Sequence, residues 1–488
     1  MLPAMKQTKF DYDVAILGGG SAGYAAARTA TGAGLKTVVI EGGPEVGGLC
    51  ILRGCMPSKT LLYAAEVLQL ARHADTWGLK IKSAGFDFTK VMARKARMIG
   101  DFADYRRQQL EKGKFKFIRA NASFVDAHTV ELKPLTRPAG HPLPIGWGEG
   151  RGERRVLSAR HFILATGSTI APPPLPSLAK VGYITSDHAL SLKKLPKSLI
   201  VLGGGAIACE LAQFFARLDV KVTMIQRSPR LLKEFDADAA SVVETVLRRD
   251  GIKLFTDTKL LEAWRDGAGK GVTFKHAGKK VRVRAGEILF ALGRTPNTAG
   301  LGLERAGVEL DQDRIITNAR MQTSARHIYA AGDCTAPHQI VHIAVQQGEI
   351  AAHNIARPQK RRSMDNRLLI SVIFTEPQVA TVGLTETEAR ARRVPYLAAS
   401  YPFNDHGKSL IAEAKDGFVK LLADPKSGEI LGGACVGPVG GELIHEIVAA
   451  MAKRMTVHEL AALPHYHPTL AEIWTYPAEE LAEQIRAS

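Results

Sequence analysis

Apolar and small residues surround a glycine-rich turn in two well-separated stretches of the chain. Residues 11–43, DYDVAILGGGSAGYAAARTATGAGLKTVVIEGG, predict a strand, a glycine turn, an alanine-rich helix and a second strand from Lys36 to Glu41. Residues 197–227, KSLIVLGGGAIACELAQFFARLDVKVTMIQR, repeat this order with nearly the same glycines. Such an internal repeat predicts two nucleotide-binding domains of the doubly wound α/β type.

The segments between and after the two repeats have their own patterns. Residues 60–110 have helical periodicity, whereas residues 115–165 alternate as β-strands do. The Pro-, Gly- and Arg-rich segment 137–155 predicts an exposed hairpin insertion, with partner binding as the alternative. Charged residues at 358–367 predict a linker. The rest mixes strand patterns such as GFVKLLAD and ILGGACVG with helix patterns such as ELIHEIVAAMAKR, which predicts a third, α+β domain.

Length, charge and hydropathy narrow the class of protein. A chain of 488 residues is too long for one core and suggests about three domains. The net charge of +17 is dispersed and not interleaved with aromatic residues, so we expect a solvated basic surface and no nucleic-acid partner. No stretch approaches the ~20 apolar residues of a membrane span. No signal-peptide pattern precedes the first strand, which favours a cytoplasmic location.

Five cysteines in a long chain do not form a structural disulfide framework. Cys209, Cys334 and Cys435 lie in apolar or glycine-rich runs and are expected to be small buried hydrophobes. Cys50 and Cys55, in GGLCILRGCMPSK (47–59), form one close pair, which in a cytosolic protein indicates catalytic or redox-cycling thiols. Zinc binding competes with this interpretation, but no second Cys or His cluster stands at ligand spacing, so we expect no metal site.

The spacing of the pair restricts its backbone. Residues five apart in a regular helix differ by about 140° and ~7.5 Å of rise, beyond the ~7 Å Cα limit of a disulfide. If Cys50 and Cys55 bond, the segment must be a distorted turn. Gly54 supplies backbone freedom there, and Pro57 disfavours the helical region for Met56.

The first glycine turn, GGGSAG at 18–23, fits G-x-G-x-x-G directly after a strand and before a helix. Its glycines allow the tight turn, the close approach of a pyrophosphate and the packing of helix on strand. Glu41, at the end of the second strand, is placed to accept hydrogen bonds from a ribose. This stretch therefore predicts a dinucleotide site.

The second glycine turn, GGGAIA at 203–208, is followed by a strand that ends without an acid. Gln226 stands where an NAD site would have a carboxylate, and Arg227 follows it, with Arg230 and Lys233 nearby. These residues tolerate a 2′-phosphate, so NADP(H) is favoured over NAD(H). The alternative is that the cations face water and NAD(H) binds without a ribose acid.

Two nucleotide sites and a cysteine pair indicate an electron relay, in which a flavin accepts two electrons from a nicotinamide and passes them to a disulfide. From about residue 11 to 480 the chain resembles the pyridine nucleotide–disulfide oxidoreductases, the family of dihydrolipoamide dehydrogenase and glutathione reductase. The motifs that carry the resemblance are GGGSAG, GGLCILRGCMPSK, ILATGS (163–168), GGGAIACE (203–210), GRTPN (293–297), YAAGD (329–333) and HPTLAE (467–472).

The resemblance implies an α/β fold, with two doubly wound Rossmann-type nucleotide-binding domains and a C-terminal α+β dimerisation domain, in a homodimer. The implied domains are the first part of the FAD-binding domain at 1–165, the NAD(P)-binding domain at 166–290, the second, central part of the FAD-binding domain at 291–360 and the dimerisation domain at 361–488.

The resemblance also implies catalytic roles. Cys50 is the interchange thiol that attacks substrate, and Cys55 faces the flavin. Lys59 and Glu210 pair near the flavin, where a cation stabilises the negative charge of the reduced ring. His467 of the other subunit is the base beside the interchange thiol, oriented by Glu472. These six residues are Cys50, Cys55, Lys59, Glu210, His467 and Glu472; His465 is the competing base.

Two sets of residues are implied for cofactor binding. The residues expected to bind FAD are Gly18, Gly20, Ser21, Ala22, Gly23, Glu41, Gly48, Lys59, Thr166, Gly167, Gly332 and Asp333. The residues expected to bind NAD(P) are Gly203, Gly205, Ala206, Ile207, Glu210, Gln226, Arg227, Lys233 and Gly293.

The implied activity is an FAD-dependent NAD(P)H:disulfide oxidoreductase similar to dihydrolipoamide dehydrogenase, acting on a small dithiol or disulfide. An NADPH-dependent reductase of glutathione disulfide or another small disulfide is the alternative, and a basic flavin-binding protein with a structural cysteine pair is the alternative of another class. Arg53, between the cysteines, departs from the family pattern and either lowers a thiol pKa or faces solvent. Mercury reduction is disfavoured because the sequence does not end in a vicinal cysteine pair.

Overall fold

The computed structural model describes residues 10–135, 155–335 and 338–486. Apart from Arg155, the segment for which an insertion is predicted lies outside the described residues. The strands are β1 Tyr12–Leu17, β2 Thr37–Glu41, β3 Lys116–Arg119, β4 Asn121–Phe124, β5 Thr129–Lys133, β6 Arg155–Leu164, β7 Ser168–Ile170, β8 Ile184–Thr185, β9 Ser198–Leu202, β10 Lys221–Ile225, β11 Lys253–Phe255, β12 Lys259–Asp266, β13 Gly269–His276, β14 Lys279–Ala285, β15 Glu287–Phe290, β16 Arg294–Pro296, β17 Leu310–Asp311, β18 Arg314–Ile315, β19 Ile328–Ala330, β20 Ile370–Ile373, β21 Gln378–Gly383, β22 Leu397–Pro402, β23 Phe418–Ala423 and β24 Ile430–Gly437. The α-helices are α1 Ser21–Gly32, α2 Leu49–Arg53, α3 Cys55–Arg72, α4 Phe88–Glu111, α5 Pro176–Val181, α6 Ser186–Ala189, α7 Ala206–Arg217, α8 Ala237–Arg249, α9 Val341–Ala356, α10 Glu386–Arg392, α11 Gly407–Ile411, α12 Gly440–Ala452, α13 Val457–Ala461 and α14 Thr475–Arg486.

The chain divides into two compact units, each made of three separate segments. The first unit comprises residues 1–56, 96–171 and 294–364, and the second comprises residues 57–95, 172–293 and 365–488. Each unit contains one of the two sequence repeats, β1–α1–β2 in the first and β9–α7–β10 in the second. The predicted doubly wound α/β fold is confirmed.

The sheet of the first unit is parallel where it carries the first glycine turn. Its strands run in the order β3-β2-β1-β6, with β19 also paired to β6, and β5 and β4 continue it as an antiparallel extension. Val14, Ala15 and Ile16 of β1 have no solvent exposure. Such a continuous apolar run is typical of a parallel strand covered on both faces.

Helix α9 packs against α1 beside the glycine turn. A side chain at Gly348 of α9 would collide with the carbonyl of Ala22 in α1, so the two backbones approach closely. The side chain of Gln347 accepts a hydrogen bond of 2.7 Å from the amide of Gly332. This bond fixes the turn that follows β19.

The second unit contains two different large sheets. The parallel sheet has the order β11-β10-β9-β15-β8, and α7 packs against β9 and β10 with Phe214 and Phe215 buried in the core. The antiparallel sheet has the order β20-β21-β24-β23-β22 and packs against α12 and α14. It is the predicted α+β part of the chain. Trp474 is fully buried there and donates to the carbonyl of Leu443 at 3.2 Å.

Candidate active site

The first glycine turn leaves the N-terminus of α1 open to an anion. Gly18 has φ +105°, and a side chain on it would collide with the carbonyl of Ala165. Gly20 caps α1 without a side-chain hydrogen bond, and no acid lies in the first turn of the helix. The free N–H groups and the helix dipole therefore favour a phosphate, as the sequence predicts. The residues present fit a dinucleotide.

Glu41 ties the end of β2 to this turn. Its carboxylate accepts hydrogen bonds from the amides of Gly19 (2.7 Å) and Gly43 (2.6 Å). These bonds hold the acid at the glycine turn, where the sequence predicts ribose binding.

Three motifs that are far apart in the sequence meet in the first unit. Ser168 donates to Asp333 at 2.6 Å, while Nε of Arg294 donates to the Ser168 hydroxyl at 2.8 Å. Asn297 donates from its backbone amide to the carbonyl of Gly167 at 2.9 Å and from its side chain to the carbonyl of Thr166 at 3.2 Å. Sequence reasoning selected Thr166, Gly167 and Asp333 but missed Ser168 and Arg294, although both lie in the motifs ILATGS and GRTPN.

The two cysteines lie on either side of a break between helices. The helix that carries Cys50 ends at Arg53, Gly54 is non-helical with φ −126° and ψ −117°, and the next helix begins at Cys55. The predicted distorted turn is confirmed. The expectation for Met56 is wrong, because Met56 lies in the first turn of α3, where Pro57 is tolerated since first-turn N–H groups lack an intrahelical acceptor.

The side chains of Cys50 and Cys55 are not joined by a disulfide bond, and they interact directly. Their hydrogen bond and then burial raise the pKa of the Cys50 thiol, because both disfavour the thiolate. The guanidinium of Arg106 opposes this rise. Arg53 forms an ion pair with Glu45, to which its Nε donates at 3.2 Å.

Lys59 and Glu210 form the predicted pair within the second unit. Nζ of Lys59 lies 2.9 Å and 2.8 Å from the two carboxylate oxygens of Glu210, whose side chain is only 6% exposed. The amide of Phe374 donates to the same carboxylate at 2.9 Å, and its ring lies 4.5 Å from Nζ. The location of this pair relative to a flavin stays a prediction.

The second glycine turn resembles the first. Gly203 has φ +120°, and a side chain on it would collide with the carbonyl of Ala291. Gly205 caps α7 without a side-chain hydrogen bond, which leaves the helix N-terminus available to a phosphate. Ala206 and Ile207 follow it at the exposed start of α7.

The predicted cations after β10 differ in their surroundings. Arg230 donates to the carbonyls of Lys233 and Phe235 at 3.1 Å and 3.0 Å, so it stabilises the loop. The exposed side chain of Arg227 has no hydrogen-bond or ion-pair partner within the described ranges. Gln226 accepts from the amide of Arg227 at 3.0 Å.

A carboxylate lies between two imidazoles near the C-terminus. Glu472 Oε2 lies 3.0 Å from Nδ1 of His467, whose side chain is 77% exposed. Its other oxygen lies 3.3 Å from Nε2 of His406, which is fully buried. The competing His465 is only 10% exposed and bonds to Glu446 at 2.6 Å. His406 was missed by sequence reasoning, since it lies in no recognised motif.

Two other classes of site receive no support from the part of the chain that the structure describes. There, no group of three or more His, Cys, Asp or Glu residues is arranged to hold a metal ion. No described helix combines the length and apolar character that a membrane crossing requires.

Comparison with known proteins identifies the family. The model for "Pyridine nucleotide-disulphide oxidoreductase" matches residues 12–348, and that for its dimerisation domain matches residues 369–478. The chain is 34% identical to a dihydrolipoyl dehydrogenase of Bacillus subtilis, over 94% of this chain and 96% of that protein. It is 32% identical to a mercuric reductase of Staphylococcus aureus, over 95% and 81%.

The structures agree with the sequences. The crystal structure of LpdA from Mycobacterium tuberculosis superposes with a TM-score of 0.83 at 29% identity, over 96% of this chain and 99% of that one. With the family models matched over most of its length, this chain belongs to the pyridine nucleotide-disulphide oxidoreductases.

Proposed function

We propose that this protein transfers two electrons between a nicotinamide dinucleotide and a small dithiol or disulfide, as a dihydrolipoamide dehydrogenase-like enzyme with FAD. The observation that carries the proposal is the direct interaction of Cys50 with Cys55 across the break at Gly54. Similarity to dihydrolipoyl dehydrogenases over nearly the whole chain supports this substrate class.

The thiol chemistry proceeds in two exchanges when a disulfide is reduced. His467 takes the proton of Cys50, and the Cys50 thiolate attacks one substrate sulfur, breaking the substrate S–S bond and forming a mixed disulfide. The displaced substrate sulfur leaves as a thiolate and receives the proton from His467. Cys55 then loses its proton and attacks the Cys50 sulfur, so that the second substrate thiol leaves protonated and the Cys50–Cys55 disulfide forms.

Two electrons have then left the cysteine pair, and the nicotinamide nucleotide replaces them. FAD supplies the two-electron chemistry that connects the nicotinamide to the disulfide. The chain's own contribution is a fixed cation: Glu210 holds Lys59 through both carboxylate oxygens, and the Phe374 amide fixes that carboxylate. A held ammonium stabilises negative charge on a neighbouring group without reorganisation.

The proposed enzyme is a homodimer in which His467 acts on the partner subunit's cysteine pair. The match to the family's dimerisation domain supports the dimer. Glu472 is buried while the imidazole that it orients is open to solvent, an arrangement suited to a base that serves a group outside its own subunit.

Thiol counting tests this function. Anaerobic addition of NADH or NADPH should create two new reactive thiols per subunit, and Cys50→Ser should abolish both. Steady-state assays with lipoamide and glutathione disulfide then identify the preferred substrate. If either nucleotide bleaches the flavin but no thiol appears, the cysteine pair is structural and the proposal is wrong.

A second candidate is an NADPH-consuming reductase of glutathione disulfide or another small disulfide. The exposed Arg227 favours it, because a guanidinium without a partner among the described residues is suited to a 2′-phosphate. Arg227→Gln should lower the ratio of kcat/KM for NADPH to that for NADH by about tenfold, since one charge-assisted hydrogen bond is lost. Lys221→Gln, at the opposite end of β10, is the matched control. Equal use of both nucleotides by the unmodified protein would reject this candidate.

A further inference from the structure

A lysine of the antiparallel sheet in the second unit is buried among carboxylates. The side chain of Lys420, in β23, is only 5% exposed. Its Nζ lies 2.6 Å from Asp238, 2.9 Å from Glu386 and 3.2 Å from Asp236. Burial lowers the pKa of this amine, but the hydrogen bonds to Asp238 and Glu386 outweigh burial, so the pKa is raised. Lys420 is therefore a charged ammonium that three carboxylates share.

Asp236 connects this lysine to two helices. It stands at the N-cap position of α8, while its Oδ1 accepts hydrogen bonds from the amide (3.1 Å) and the hydroxyl (2.7 Å) of Thr387. Its Oδ2, which contacts Lys420, accepts a third bond of 3.1 Å from the amide of Glu386. The first two amides of α10 thus have their acceptor at the start of α8. This Lys420 cluster (Lys420, Asp236, Asp238, Glu386 and Thr387) fixes the point where the chain enters α8.

The loop between β10 and α8, residues 226–236, carries residues for which the sequence predicts nucleotide binding. The amide of Leu232 donates to the carbonyl of Gly204 in the second glycine turn at 2.8 Å. The amide of Phe235 donates to the carbonyl of Leu232 at 2.9 Å, and Arg230 donates to the carbonyl of Phe235 at 3.0 Å. The loop is therefore bonded to the glycine turn near its middle and held by the Lys420 cluster at its end.

We propose that Lys420 is a positioning residue for the nicotinamide nucleotide. By holding Asp236, it keeps residues 226–236 in the conformation that binds the nucleotide. Gln226 and Arg227 lie at the start of this loop, where the sequence predicts contact with the adenosine ribose and its 2′-phosphate. Ordering a free loop costs conformational entropy, and a loop that is ordered before binding avoids that cost when the nucleotide arrives.

This inference rests on the proposed function, because it concerns the same nucleotide site. It adds a contact with the antiparallel sheet, outside both glycine turns, as a determinant of nucleotide affinity. The alternative is that the Lys420 cluster only stabilises the folded unit.

Hydrogen exchange in the absence of nucleotide tests the anchoring of the loop. Exchange into the flavin-loaded protein is followed by mass spectrometry of the peptides that cover residues 226–236 and strand β9. In Lys420→Met the carboxylates lose their shared cation, so the loop amides of Leu232 and Phe235 should exchange about tenfold faster, because local opening becomes easier. The acceleration should be much smaller in β9. Equal acceleration in both peptides would show a general loss of stability and would overturn the inference.

Equilibrium binding tests the consequence for the nucleotide. In titration calorimetry with NADP⁺ and NAD⁺, Lys420→Met should raise the dissociation constants about 3–10-fold, because the competent loop conformation is then only partly populated. In turnover the KM for the nucleotide should rise while kcat is kept. Lys420→Arg retains the charge and should recover most of the affinity and of the exchange protection.

Two further variants serve as control and substitute. Arg249→Gln is the matched control, because Arg249 donates to Asp416 at 3.1 Å and so contacts the segment before β23 from the opposite end of α8. Its loss should change neither loop exchange nor nucleotide binding. Should Lys420→Met fail to fold, Thr387→Val decides, since it removes only the hydroxyl that donates to Asp236 and should produce the same changes to a smaller degree.

Unchanged loop exchange, or unchanged dissociation constants, would overturn the inference. The binding and exchange measurements require no transfer of electrons to the cysteine pair. Absence of new thiols with NAD(P)H, together with nucleotide binding that weakens in Lys420→Met, therefore rejects the proposed function and leaves the inference intact.

Discussion

Oε1 of Glu472 lies 3.3 Å from Nε2 of His406, an imidazole without solvent exposure. The other carboxylate oxygen, Oε2, contacts His467. Glu472 therefore lies between a buried histidine, His406, and a solvent-exposed one, His467. Nδ1 of His406 lies 2.8 Å from the Ser409 hydroxyl, so a hydrogen bond fixes the ring at that nitrogen, whereas Nε2 approaches Glu472 without hydrogen-bond geometry. His406 therefore acts as a support for the carboxylate that orients the proposed base.

Replacing His406 should weaken disulfide exchange without touching the reacting sulfur. In His406→Phe the carboxylate loses a polar neighbour and its orientation relaxes, so we expect disulfide reduction to fall about 2–10-fold, which corresponds to one lost polar contact of roughly 0.5–1.5 kcal/mol. Reduction of the flavin by NAD(P)H, measured by stopped-flow absorbance, should not change. His406→Gln keeps a polar group and should recover part of the rate. Full activity in His406→Phe would contradict a supporting role.

The base itself is tested by His467. His467→Ala should slow thiol–disulfide exchange by about 10²–10⁴-fold, the usual contribution of a positioned acid–base group. Rapid-mixing measurement of NAD(P)H-to-flavin transfer should give the rate of the unmodified protein. His465→Ala is the matched control, since His465 is bonded to Glu446. A larger loss of exchange rate in His465→Ala than in His467→Ala would show that His465, and not His467, is the base.

Replacing only one member of the Lys59–Glu210 ion pair should destabilise the folded protein. Lys59→Met leaves the 6%-exposed carboxylate of Glu210 with only the Phe374 amide among the described contacts, which should lower the free energy of unfolding by about 1–3 kcal/mol. The cost is less than for a fully buried pair because the Lys59 side chain is 30% exposed. The double variant with Glu210→Gln should lose less than the sum of the single variants. Additive losses in urea unfolding would show that the two charges are not coupled.

Stability should decrease as the solution becomes acidic. Burial is the main cause that lowers the pKa values of His161, His327 and His406 below 6.5. Above pH 6.5 these rings are neutral in both states; below it the unfolded chain takes up protons that the folded chain resists, so folding loses stability. Each ring contributes at most about 1.4 kcal/mol per pH unit.

The urea concentration at the midpoint of unfolding, measured between pH 7.5 and 5.5, tests this loss of stability. The midpoint should fall with pH, and His161→Gln should reduce the dependence. A midpoint that rises on acidification would refute the assignment of neutral buried rings.

The sequence predicts the elements of the fold well because their signals are local. The apolar runs of β1 and β9 and the glycines that follow them specify a strand and a turn without reference to the rest of the chain. The cysteine pair was located by spacing alone, and its non-helical backbone followed from the length of a disulfide.

The site residues that the sequence does not predict are brought together by contacts between distant parts of the chain. Ser168 meets Arg294 across 126 residues. His406 has no motif that distinguishes it from the other histidines before the fold brings it to Glu472. The error at Met56 has a different origin, because the preference of a residue before proline is outweighed where a helix begins.

Helices α1 and α9 pack against each other but are synthesised at different times. About 300 residues separate the two helices, so at roughly 5–20 residues per second a ribosome needs about 15 s to a minute to synthesise the second after the first. Throughout that interval the Ala22 carbonyl lacks the glycine against which it packs in the finished molecule. The nascent first unit therefore holds its opening segment without this packing partner until residues near 350 have left the ribosome.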